Sequence, residues 1–390
     1  MTKKKILYLT FYFEPDLCAG SFRNSPLIKE LARQAKNEAS IEVFTTLPNR
    51  YSSFQSEAPH FEEFENYQVH RISIPKHKSG MQDQINSFKT YFNAVKRQTR
   101  GKKYDLVVAS SSRLFTAYLG YSIAKKKHIP LYLDIRDIFT DTMEDVLKKS
   151  ILKPGILLTL RLIEQKVFSY AAHINLISEG FAPYFKKFKK PNYSFYPNGI
   201  DQEFLNIPPS VPSENPVKRI VYAGNIGEGQ GLHKIIPQAA KKLGNTYQFL
   251  IVGDGGAKDK FIGEMERLKI NNVKIIPPQN RSDLLSIYNK ADFLFIHLND
   301  YDAFKKVLPS KIFELGAYDK PIIAGVAGHA YDFIEKNISN KILFPPGDSE
   351  AMVDQLNLYI YKLEERISFK EKFQREAINK EMSKSILGYL

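Results

Sequence analysis

Cysteine is almost absent from this chain of 390 residues, and its absence excludes folds that depend on disulfides. The single cysteine, Cys18, cannot form an intramolecular disulfide, so the chain is not a small disulfide-stabilised scaffold. The eight histidines show no H-x-H or H-x-x-x-H spacing, which argues against a zinc site. We therefore expect an intracellular protein without a structural metal.

Long hydrophobic runs are absent as well. No stretch approaches the roughly 18–20 apolar residues of a membrane-spanning helix. The apolar run near the N-terminus covers residues 6–13, ends before Glu14 and has no small-residue cleavage site behind it. It therefore predicts a first β-strand rather than a signal peptide. Any contact with a membrane is expected to be peripheral.

Acidic residues are too few to balance the basic ones. The chain has 56 Lys and Arg against 42 Asp and Glu, a net charge of +14, which predicts attraction to nucleic acid, anionic lipid or a phosphorylated substrate. The excess is N-terminal, because residues 1–205 carry 31 basic and 20 acidic residues. In the rest of the chain, the numbers of basic and acidic residues are nearly equal.

The most basic segment, residues 76–103, has eight basic residues and one acidic residue. Its apolar residues recur at helical spacing and predict an amphipathic helix; they are Met81, Ile85, Phe88, Phe92 and Val95. This helix either faces the core with a solvated basic rim or meets anionic headgroups or a polyanionic acceptor. The cations on which the second interpretation depends are Lys96, Arg97, Lys102 and Lys103. Segment 151–163, rich in Leu and Ile, either docks on a bilayer or packs in the core.

Short apolar runs alternate with helical patterns along the chain, which predicts parallel sheets covered by helices on both faces. The proline-rich segment 206–218 interrupts this alternation and predicts an interdomain linker. We expect one domain over residues 1–205, a second over residues 206–366, and a C-terminal helix over residues 367–390 that packs back on the first domain. The ligand cleft is expected between the two domains, at the carboxyl ends of the strands.

Three turns between a strand and a helix are rich in glycine. They hold Gly20, then Gly224, Gly227, Gly229 and Gly231, then Gly253, Gly255 and Gly256. Such turns let a phosphate approach backbone N–H groups, although an isolated glycine-rich turn can also be only a tight turn. The chain has neither the dinucleotide-binding fingerprint in its first strand-helix unit nor a Walker lysine, which argues against an NAD enzyme and a P-loop ATPase.

Longer motifs resemble one family of enzymes. They are YAGNIG-x-x-QGL (222–232), IVGDG (251–255), LPSKIFE (308–314) followed by KPIIA (320–324), PNGID (197–201), DIRD (134–137) and AGSFR (19–23). In this order they resemble the family 4 glycosyltransferases of the GT-B fold, and more narrowly the branch that includes L-fucosamine (FucNAc) transferases of capsule and O-antigen synthesis. The resemblance implies an α/β protein with two Rossmann-like, doubly wound parallel-sheet domains that face a central cleft.

The resemblance also implies a donor site. Glu314 corresponds to the second Glu of the family's E-x7-E motif, which binds the ribose hydroxyls, whereas Lys306 replaces the first Glu, so recognition of the sugar must differ. The Arg and Lys that brace the diphosphate correspond to the uncharged Asn225 and Gln230. We therefore expect Lys306 or Lys311 to supply the missing cation, unless both are ordinary surface lysines. The other expected donor-binding residues are Gly20, Gly224, Gly227, Gly231, Asp254, Gly255, Pro278, Leu308, Pro309 and Ser310.

For the mechanism, the resemblance implies a front-face displacement in which the departing β-phosphate oxygen takes the acceptor proton. Asp137 is then a candidate for orienting the acceptor hydroxyl, or alternatively a helix N-cap. Arg23 and Arg136 are expected on the acceptor side, with Asp134 and Arg136 as a structural pair. The D-x-D motif at residues 300–302 has the spacing by which other glycosyltransferases hold a divalent metal, but its late position in a two-domain chain argues against that role.

The expected function is that of a retaining glycosyltransferase. It moves a sugar, such as N-acetyl-L-fucosamine or a related deoxy or acetamido sugar, from a UDP-sugar to a lipid-linked diphospho-sugar in bacterial surface polysaccharide synthesis. Neither a cofactor, a metal nor a nucleic-acid partner is expected. The protein is expected in the cytoplasm, at the anionic inner face of the cell membrane. The alternative is a GT-B-like epimerase of UDP-sugars, for which the sequence offers no evident group of His and carboxylate residues.

Overall fold

The structure, a computed structural model, describes residues 3–49, 57–75, 81–147, 152–212 and 214–390. It divides into two compact units: unit 1 contains Met1–Asn198 and Glu376–Leu390, and unit 2 contains Gly199–Arg375. Lys76 and Lys78 of the basic segment 76–103 and Ile151 of segment 151–163 lie outside the described residues, as does the side chain of Met81.

The described residues form fourteen strands and fifteen α-helices. The strands are β1 (Lys4–Leu9), β2 (Ala39–Thr46), β3 (Phe61–Glu63), β4 (Tyr67–Ile72), β5 (Leu106–Ser111), β6 (Leu131–Ile135), β7 (His173–Leu176), β8 (Asn192–Ser194), β9 (Lys218–Asn225), β10 (Tyr247–Asp254), β11 (Val273–Ile276), β12 (Phe293–His297), β13 (Ile322–Gly325) and β14 (Lys341–Phe344). The helices are α1 (Ala19–Gln34), α2 (Met81–Gln98), α3 (Leu114–Lys127), α4 (Phe139–Val146), α5 (Lys153–Tyr170), α6 (Ala182–Phe185), α7 (Gln202–Leu205), α8 (Leu232–Leu243), α9 (Lys258–Leu268), α10 (Arg281–Asn289), α11 (Lys311–Gly316), α12 (His329–Asn337), α13 (Ser349–Leu358), α14 (Ile367–Lys372) and α15 (Arg375–Leu387).

Unit 1 is built on an eight-stranded sheet in the order β3-β4-β2-β1-β5-β6-β7-β8, parallel throughout except that β3 is antiparallel to β4. Helices α1 and α15 cover one face, where Leu27 and Met382 pack with Tyr8 in one hydrophobic core. On the other face α3 packs between α2 and α5. Gly120 permits the close approach of α3, because a Cβ there would lie 3.0 Å from the Cβ of Ala109 in β5.

Unit 2 is built on a six-stranded, all-parallel sheet in the order β11-β10-β9-β12-β13-β14. The side chains of β9 alternate between two cores, with Val221 on one face and Ile220 and Tyr222 on the other. Both faces of this sheet are therefore buried, as is usual for parallel sheets. The predicted fold class, an α/β protein with two doubly wound parallel sheets, is confirmed.

The boundary between the units differs from the predicted one at residue 205. Residues 199–205 belong to unit 2, because Ile200 exchanges backbone hydrogen bonds with Phe373 (2.7 Å) and Arg375 (3.0 Å) and Phe204 is buried in the unit 2 core. The proline-rich segment 206–218 is also part of unit 2 rather than a linker between the units. It is attached there by the Ser210 N–H, which donates to a carboxylate oxygen of Asp319 at 2.7 Å.

The C-terminal segment likewise differs from the single predicted helix. It forms two helices, α14 and α15, separated where Gln374 forms a β-bridge with Ile200. As a result, residues 367–375 belong to unit 2 and only residues 376–390 belong to unit 1. The pairing with Ile200 involves residues 174 positions apart, which explains why helical periodicity alone gives one continuous helix.

Candidate functional site

The glycine-rich loop after β9 holds a pair of bonded amides. Asn225 Nδ2 donates to Gln230 Oε1 at 2.9 Å. A Cβ at Gly227 would lie 2.2 Å from Asn225 Nδ2, and a Cβ at Gly255 would lie 2.7 Å from Asn225 Oδ1. The structure therefore brings four predicted residues into one uncharged cluster, and side chains at the two glycines would displace the amides.

Gly224 lies in the paired region of β9 and β10, where the strands approach closely. Its register partner is Gly253, and a Cβ at Gly253 would lie only 1.9 Å from the carbonyl oxygen of Gly224. These glycines thus have a packing role in the sheet. Asp254, at the end of β10, accepts a hydrogen bond from the Gly255 N–H at 2.9 Å, and its Oδ1 is 3.7 Å from the ammonium of Lys258.

Asn299, just after β12, connects the segment that follows β12 to the glycine-rich loop after β9. Its N–H donates to Gly229 O at 2.8 Å, and its side-chain amide donates to Glu228 O at 3.1 Å. Gly231 is left-handed (φ 59°), and a Cβ there would lie 3.2 Å from the Asn299 side chain. The carboxyl ends of β9, β10 and β12 thus converge in one loop cluster.

The predicted donor-binding residues after Asn299 have different environments. Lys306 ends a short 3-10 turn and is half-buried, whereas Leu308 is buried in the core of unit 2, so its side chain has a packing role. Pro309 accepts a hydrogen bond from the Ile312 N–H at 3.1 Å, and Ser310 is the N-cap residue of α11.

Pro278 follows β11 on the outer side of β10 and is half-buried. Next to it, Gln279 Nε2 donates to the carbonyl oxygen of Pro277 at 2.9 Å. Because β11 is parallel to β10, Pro278 and Asp254 lie at the same edge of the sheet.

Glu314 is a buried carboxylate between two cations. Lys311 Nζ lies 2.8 Å from its Oε2, and a guanidinium nitrogen of Arg281 lies 3.4 Å from its Oε1. Burial opposes ionisation, but Lys311 and Arg281 hold the pKa of Glu314 below its usual range. Glu314 is therefore anionic at neutral pH, and Lys311, one of the two lysines considered for the diphosphate, forms an ion pair with it.

Arg281 is a residue of this cluster that the sequence did not reveal. It opens α10 and also pairs with Asp201 and with Glu203 Oε1, the latter at 3.0 Å, while its guanidinium lies 5.0 Å from the ring centroid of Phe204. Asp201 is shared with Arg375. Asp201 belongs to the motif PNGID and Glu314 to the motif LPSKIFE, but neither motif nor helical spacing indicates that Arg281 is their partner.

His297, at the end of β12, is a second residue that the sequence did not reveal. Its Nε2 accepts a hydrogen bond from the Gly347 N–H at 3.0 Å, so Nδ1 carries the proton and donates to the Gln230 carbonyl at 2.6 Å. Burial lowers the pKa of His297 to about 4, which keeps the ring neutral at pH 7. A buried, neutral His297 therefore helps to fix the Gln230 backbone.

In unit 1, Asp137 lies between β6 and α4. It is not the N-cap of that helix, a position occupied by Ile138, and its carboxylate accepts hydrogen bonds of 3.4 Å from the Thr142 hydroxyl. Burial raises the pKa of Asp137 to about 6, even though hydrogen bonds from Ile138 and Thr142 favour the charged form. Asp137 is thus a half-buried carboxyl group that titrates near neutrality, a property common at functional sites.

Arg23 lies in the core of unit 1 and not on an acceptor-binding surface. Its side chain is 2% exposed and forms two 2.8 Å bonds to the carboxylate of Asp134. Two further bonds go to the carbonyl oxygens of Tyr196 (2.9 Å) and Pro197 (3.1 Å). Arg23, 111 positions away, rather than the expected Arg136, is therefore the hydrogen-bonded ion-pair partner of Asp134, and its role is structural. Arg136 is close enough to Asp134 for their charges to interact.

Gly20 and Arg136 are in contact. Gly20 lies in the first turn of α1, and a Cβ there would be 2.9 Å from a guanidinium nitrogen of Arg136. Burial lowers the pKa of Arg136, although the nearby Asp134 favours its charged form. Two residues predicted for different ligands, the donor and the acceptor, thus lie together in unit 1.

The D-x-D motif faces a lysine. Lys305 Nζ lies 2.8 Å from Asp302 and 3.6 Å from Asp300, whose side chains are 83% and 63% exposed. Within the described ranges, no group of three His, Cys, Asp or Glu residues could hold a metal ion.

The basic helix α2 differs in part from its predicted pattern. Phe88 and Val95 are buried and Phe92 is half-buried, but Ile85 is 57% exposed, and the fully buried Tyr91 takes its place in the core. Tyr91 donates to the Phe44 carbonyl at 2.9 Å.

The four predicted cations of this region are not equivalent. Lys96, Arg97 and Lys103 are exposed, whereas Lys102 forms an ion pair with Glu42. Across the described part of the chain, no helix is long and apolar enough to span a bilayer.

Comparison with known proteins identifies related sequences and folds. Residues 204–376 match the family model described as Glycosyl transferases group 1. A stretch of 95 residues is 33% identical to the "Putative colanic acid biosynthesis glycosyl transferase WcaI" of Escherichia coli (strain K12); it covers 24% of this chain and 23% of that protein. The chain thus matches about a quarter of the length of this curated relative.

Solved structures resemble the chain over almost its whole length. Sucrose-phosphate synthase from Thermosynechococcus elongatus has a TM-score of 0.71 at 13% identity, covering 98% of this chain and 95% of its own. HepE from Anabaena in complex with UDP-glucose has a TM-score of 0.68 at 16% identity, covering 99% of this chain and 100% of its own. The fold is therefore GT-B, and the segment with the glycine-rich loop, Arg281 and Glu314 matches the group 1 glycosyl transferases.

Proposed function

We propose that this protein is a glycosyltransferase that moves a sugar from a UDP-sugar to a lipid-linked diphospho-sugar during synthesis of a bacterial surface polysaccharide. The observation that carries the proposal is that residues 204–376, which match the group 1 glycosyl transferases, contain the loop cluster and the buried Glu314. Two similar proteins support the details: HepE has been solved in complex with UDP-glucose, and the name of WcaI refers to colanic acid biosynthesis.

In the proposed donor site, Glu314 accepts hydrogen bonds from the ribose hydroxyls. Backbone N–H groups of the glycine-rich loop meet the diphosphate, while Asn225 and Gln230 offer neutral amides to it. Lys306 or Lys311 supplies the cation for the diphosphate; Lys311 also pairs with Glu314 at 2.8 Å. The proposed donor sugar is N-acetyl-L-fucosamine or a related deoxy or acetamido sugar.

The proposed chemistry is transfer with retention of configuration and without a metal. The acceptor hydroxyl attacks the anomeric carbon from the side of the leaving group, the bond from that carbon to the β-phosphate oxygen breaks, and this oxygen takes the acceptor proton. Asp137 orients the acceptor hydroxyl, and the positioned diphosphate supplies a stabilised leaving group.

The donor proposal predicts that UDP-sugars raise the melting temperature and that free UDP appears only when a lipid-linked acceptor is added. A ligand at 100 times its Kd stabilises the folded protein against unfolding by about 2.7 kcal/mol, and a thermal-shift assay can measure this effect. A panel of UDP- and GDP-sugars, with and without chelator, tests donor and metal together. Conversion of a UDP-sugar without UDP release would indicate the epimerase instead, and loss of transfer with chelator that metal restores would contradict the metal-independent mechanism.

Association with a membrane is proposed for the helical layer α2, α3 and α5 of unit 1. One half-buried ring on each helix has a lysine ammonium near it: Lys96 lies 5.4 Å from Phe92, Lys125 lies 5.4 Å from Tyr121, and Lys190 lies 5.6 Å from Tyr170. Leu158 and Leu162, at i and i+4 on α5, are 62% and 55% exposed. Aromatic rings, cations and exposed leucines together suit the anionic headgroup region at the cytoplasmic face of a bilayer.

Changing Lys96, Arg97 and Lys103 together to Gln should weaken binding to vesicles containing phosphatidylglycerol at least tenfold. Each cation near an anionic surface contributes about 1 kcal/mol, and these three are exposed. Vesicle co-sedimentation at low salt measures the effect, with a triple change of Lys241, Lys274 and Lys290 in unit 2 as the control. An equal loss in both triple variants, or weaker UDP binding in the first, would show that the charge serves another ligand.

A further inference from the structure

The ion pairs around Arg281 connect three separate parts of unit 2. Its Nε is 3.0 Å from Glu203 near the start of the unit, another nitrogen is 3.4 Å from Glu314 in α11, and a further pair joins it to Asp201. A guanidinium is a planar fork with fixed donor directions, so several simultaneous bonds define its orientation. The Glu314 oxygen that faces Arg281 is thereby fixed as well.

Glu314 retains capacity for a ligand in this arrangement. Lys311 contacts Oε2 and Arg281 contacts Oε1, so each cation uses one acceptor position of the carboxylate. A carboxylate has about four such positions. Two acceptor positions are therefore left for hydroxyl donors. The side chain is 5% exposed, so a hydrogen bond made there would be poorly screened by water.

The two cations beside Glu314 cannot have the same role. Lys311 lies one turn away on the same helix, so it neutralises Glu314 without fixing α11 relative to other elements. Arg281 opens α10 and therefore ties Glu314 to a second helix. Asp201 does not depend on Arg281 alone, because Arg375 also pairs with it.

We propose that Arg281 is a positioning residue that holds Glu314 correctly oriented for the ribose hydroxyls of the nucleotide donor. This inference rests on the proposed function, since it assumes a nucleoside diphosphate in the loop cluster. A carboxylate held in this way should distinguish a ribose from a deoxyribose, because a lost hydrogen bond to a charged group reduces affinity by about 10- to 100-fold.

Calorimetric titration with UDP and 2′-deoxy-UDP tests the inference. The wild-type protein should bind UDP at least tenfold more tightly than 2′-deoxy-UDP. Arg281→Met should bring this ratio close to one by weakening UDP binding, and Arg281→Lys, which keeps the charge but not the fork, should give an intermediate ratio. Arg267→Met is the matched control, because Arg267 is 59% exposed and pairs with Glu264 on its own helix; its ratio should equal that of the wild type.

Each outcome separates this inference from the proposed function. A folded Arg281→Met variant with the wild-type ratio would overturn the positioning role and leave the donor site intact. Equal wild-type affinity for the two nucleotides would show that Glu314 does not read the ribose and would also overturn it. Failure of the wild type to bind UDP would contradict the proposed function itself. If Arg281→Met does not fold, an unchanged ratio in Arg281→Lys overturns the inference.

Discussion

Arg23→Met should destabilise unit 1 by about 3–5 kcal/mol, because it leaves the carboxylate of Asp134 buried without its cation. Asp134 is fully buried, and after the substitution it would keep only neutral donors, from Ser110 at 2.9 Å and Asn175 at 2.8 Å. In the native protein, burial opposes ionisation but Arg23 holds the pKa of Asp134 below its usual range. Removing the guanidinium therefore removes the main group that stabilises the charge.

Differential scanning calorimetry of the full chain measures this effect. For a unit of this size the melting temperature of unit 1 should fall by roughly 10 °C, while that of unit 2 is unchanged. Arg33→Met is the matched control on the same helix, because Arg33 is 66% exposed and pairs with Glu30 three residues away. That variant should leave the melting temperature of unit 1 essentially unchanged, because exposed ion pairs contribute little to stability. Normal stability in Arg23→Met together with loss of transfer would restore the predicted role of Arg23 at the acceptor.

The sheets were predictable because buried parallel strands are apolar almost without interruption. The runs at β5, β6 and β9 indicate strands from residue type alone. The short elements β3, β8, α4, α6 and α7 could not be predicted in this way, because three to eight residues give too little periodicity to recognise.

The errors in domain boundaries have tertiary causes. Four prolines in residues 206–218 are typical of a linker, but the hydrogen bonds between Ser210 and Asp319 attach this segment to unit 2. The break between α14 and α15 depends on Ile200, which is distant in sequence. Neither contact has a local signal.

The candidate site was predictable where the partners are close in sequence. The Lys311–Glu314 pair has i, i+3 spacing, and the absence of charge at Asn225 and Gln230 follows from their residue types. Arg281 could not be identified in this way, because its partners lie 80 positions before it and 33 after it. Arg23 was assigned to a surface because the sequence does not reveal that its partner, Asp134, is buried.

Asp137→Asn should lower the rate of transfer about 100-fold without changing the affinity for UDP, because Asp137 is proposed to orient the acceptor and not the donor. The estimate corresponds to the loss of one positioned carboxylate, which usually changes rates by about 10²- to 10⁴-fold. Asp145→Asn, the same type of substitution in the following helix α4, is the matched control and should keep the rate within about twofold. Initial rates with saturating donor and lipid-linked acceptor measure the effect.

The pH dependence of the same variant separates catalysis from folding. The pKa of Asp137 is raised to about 6 by burial, so at pH 7 the carboxylate form, which can accept the acceptor's hydrogen bond, predominates. Because protonation removes this acceptor, the wild-type rate should fall as the pH drops through 6. The Asn variant cannot titrate and should lose this acidic limb while keeping its lower rate. A wild-type rate in Asp137→Asn would assign Asp137 only its bond to Thr142, and an unchanged acidic limb would place the titrating group elsewhere.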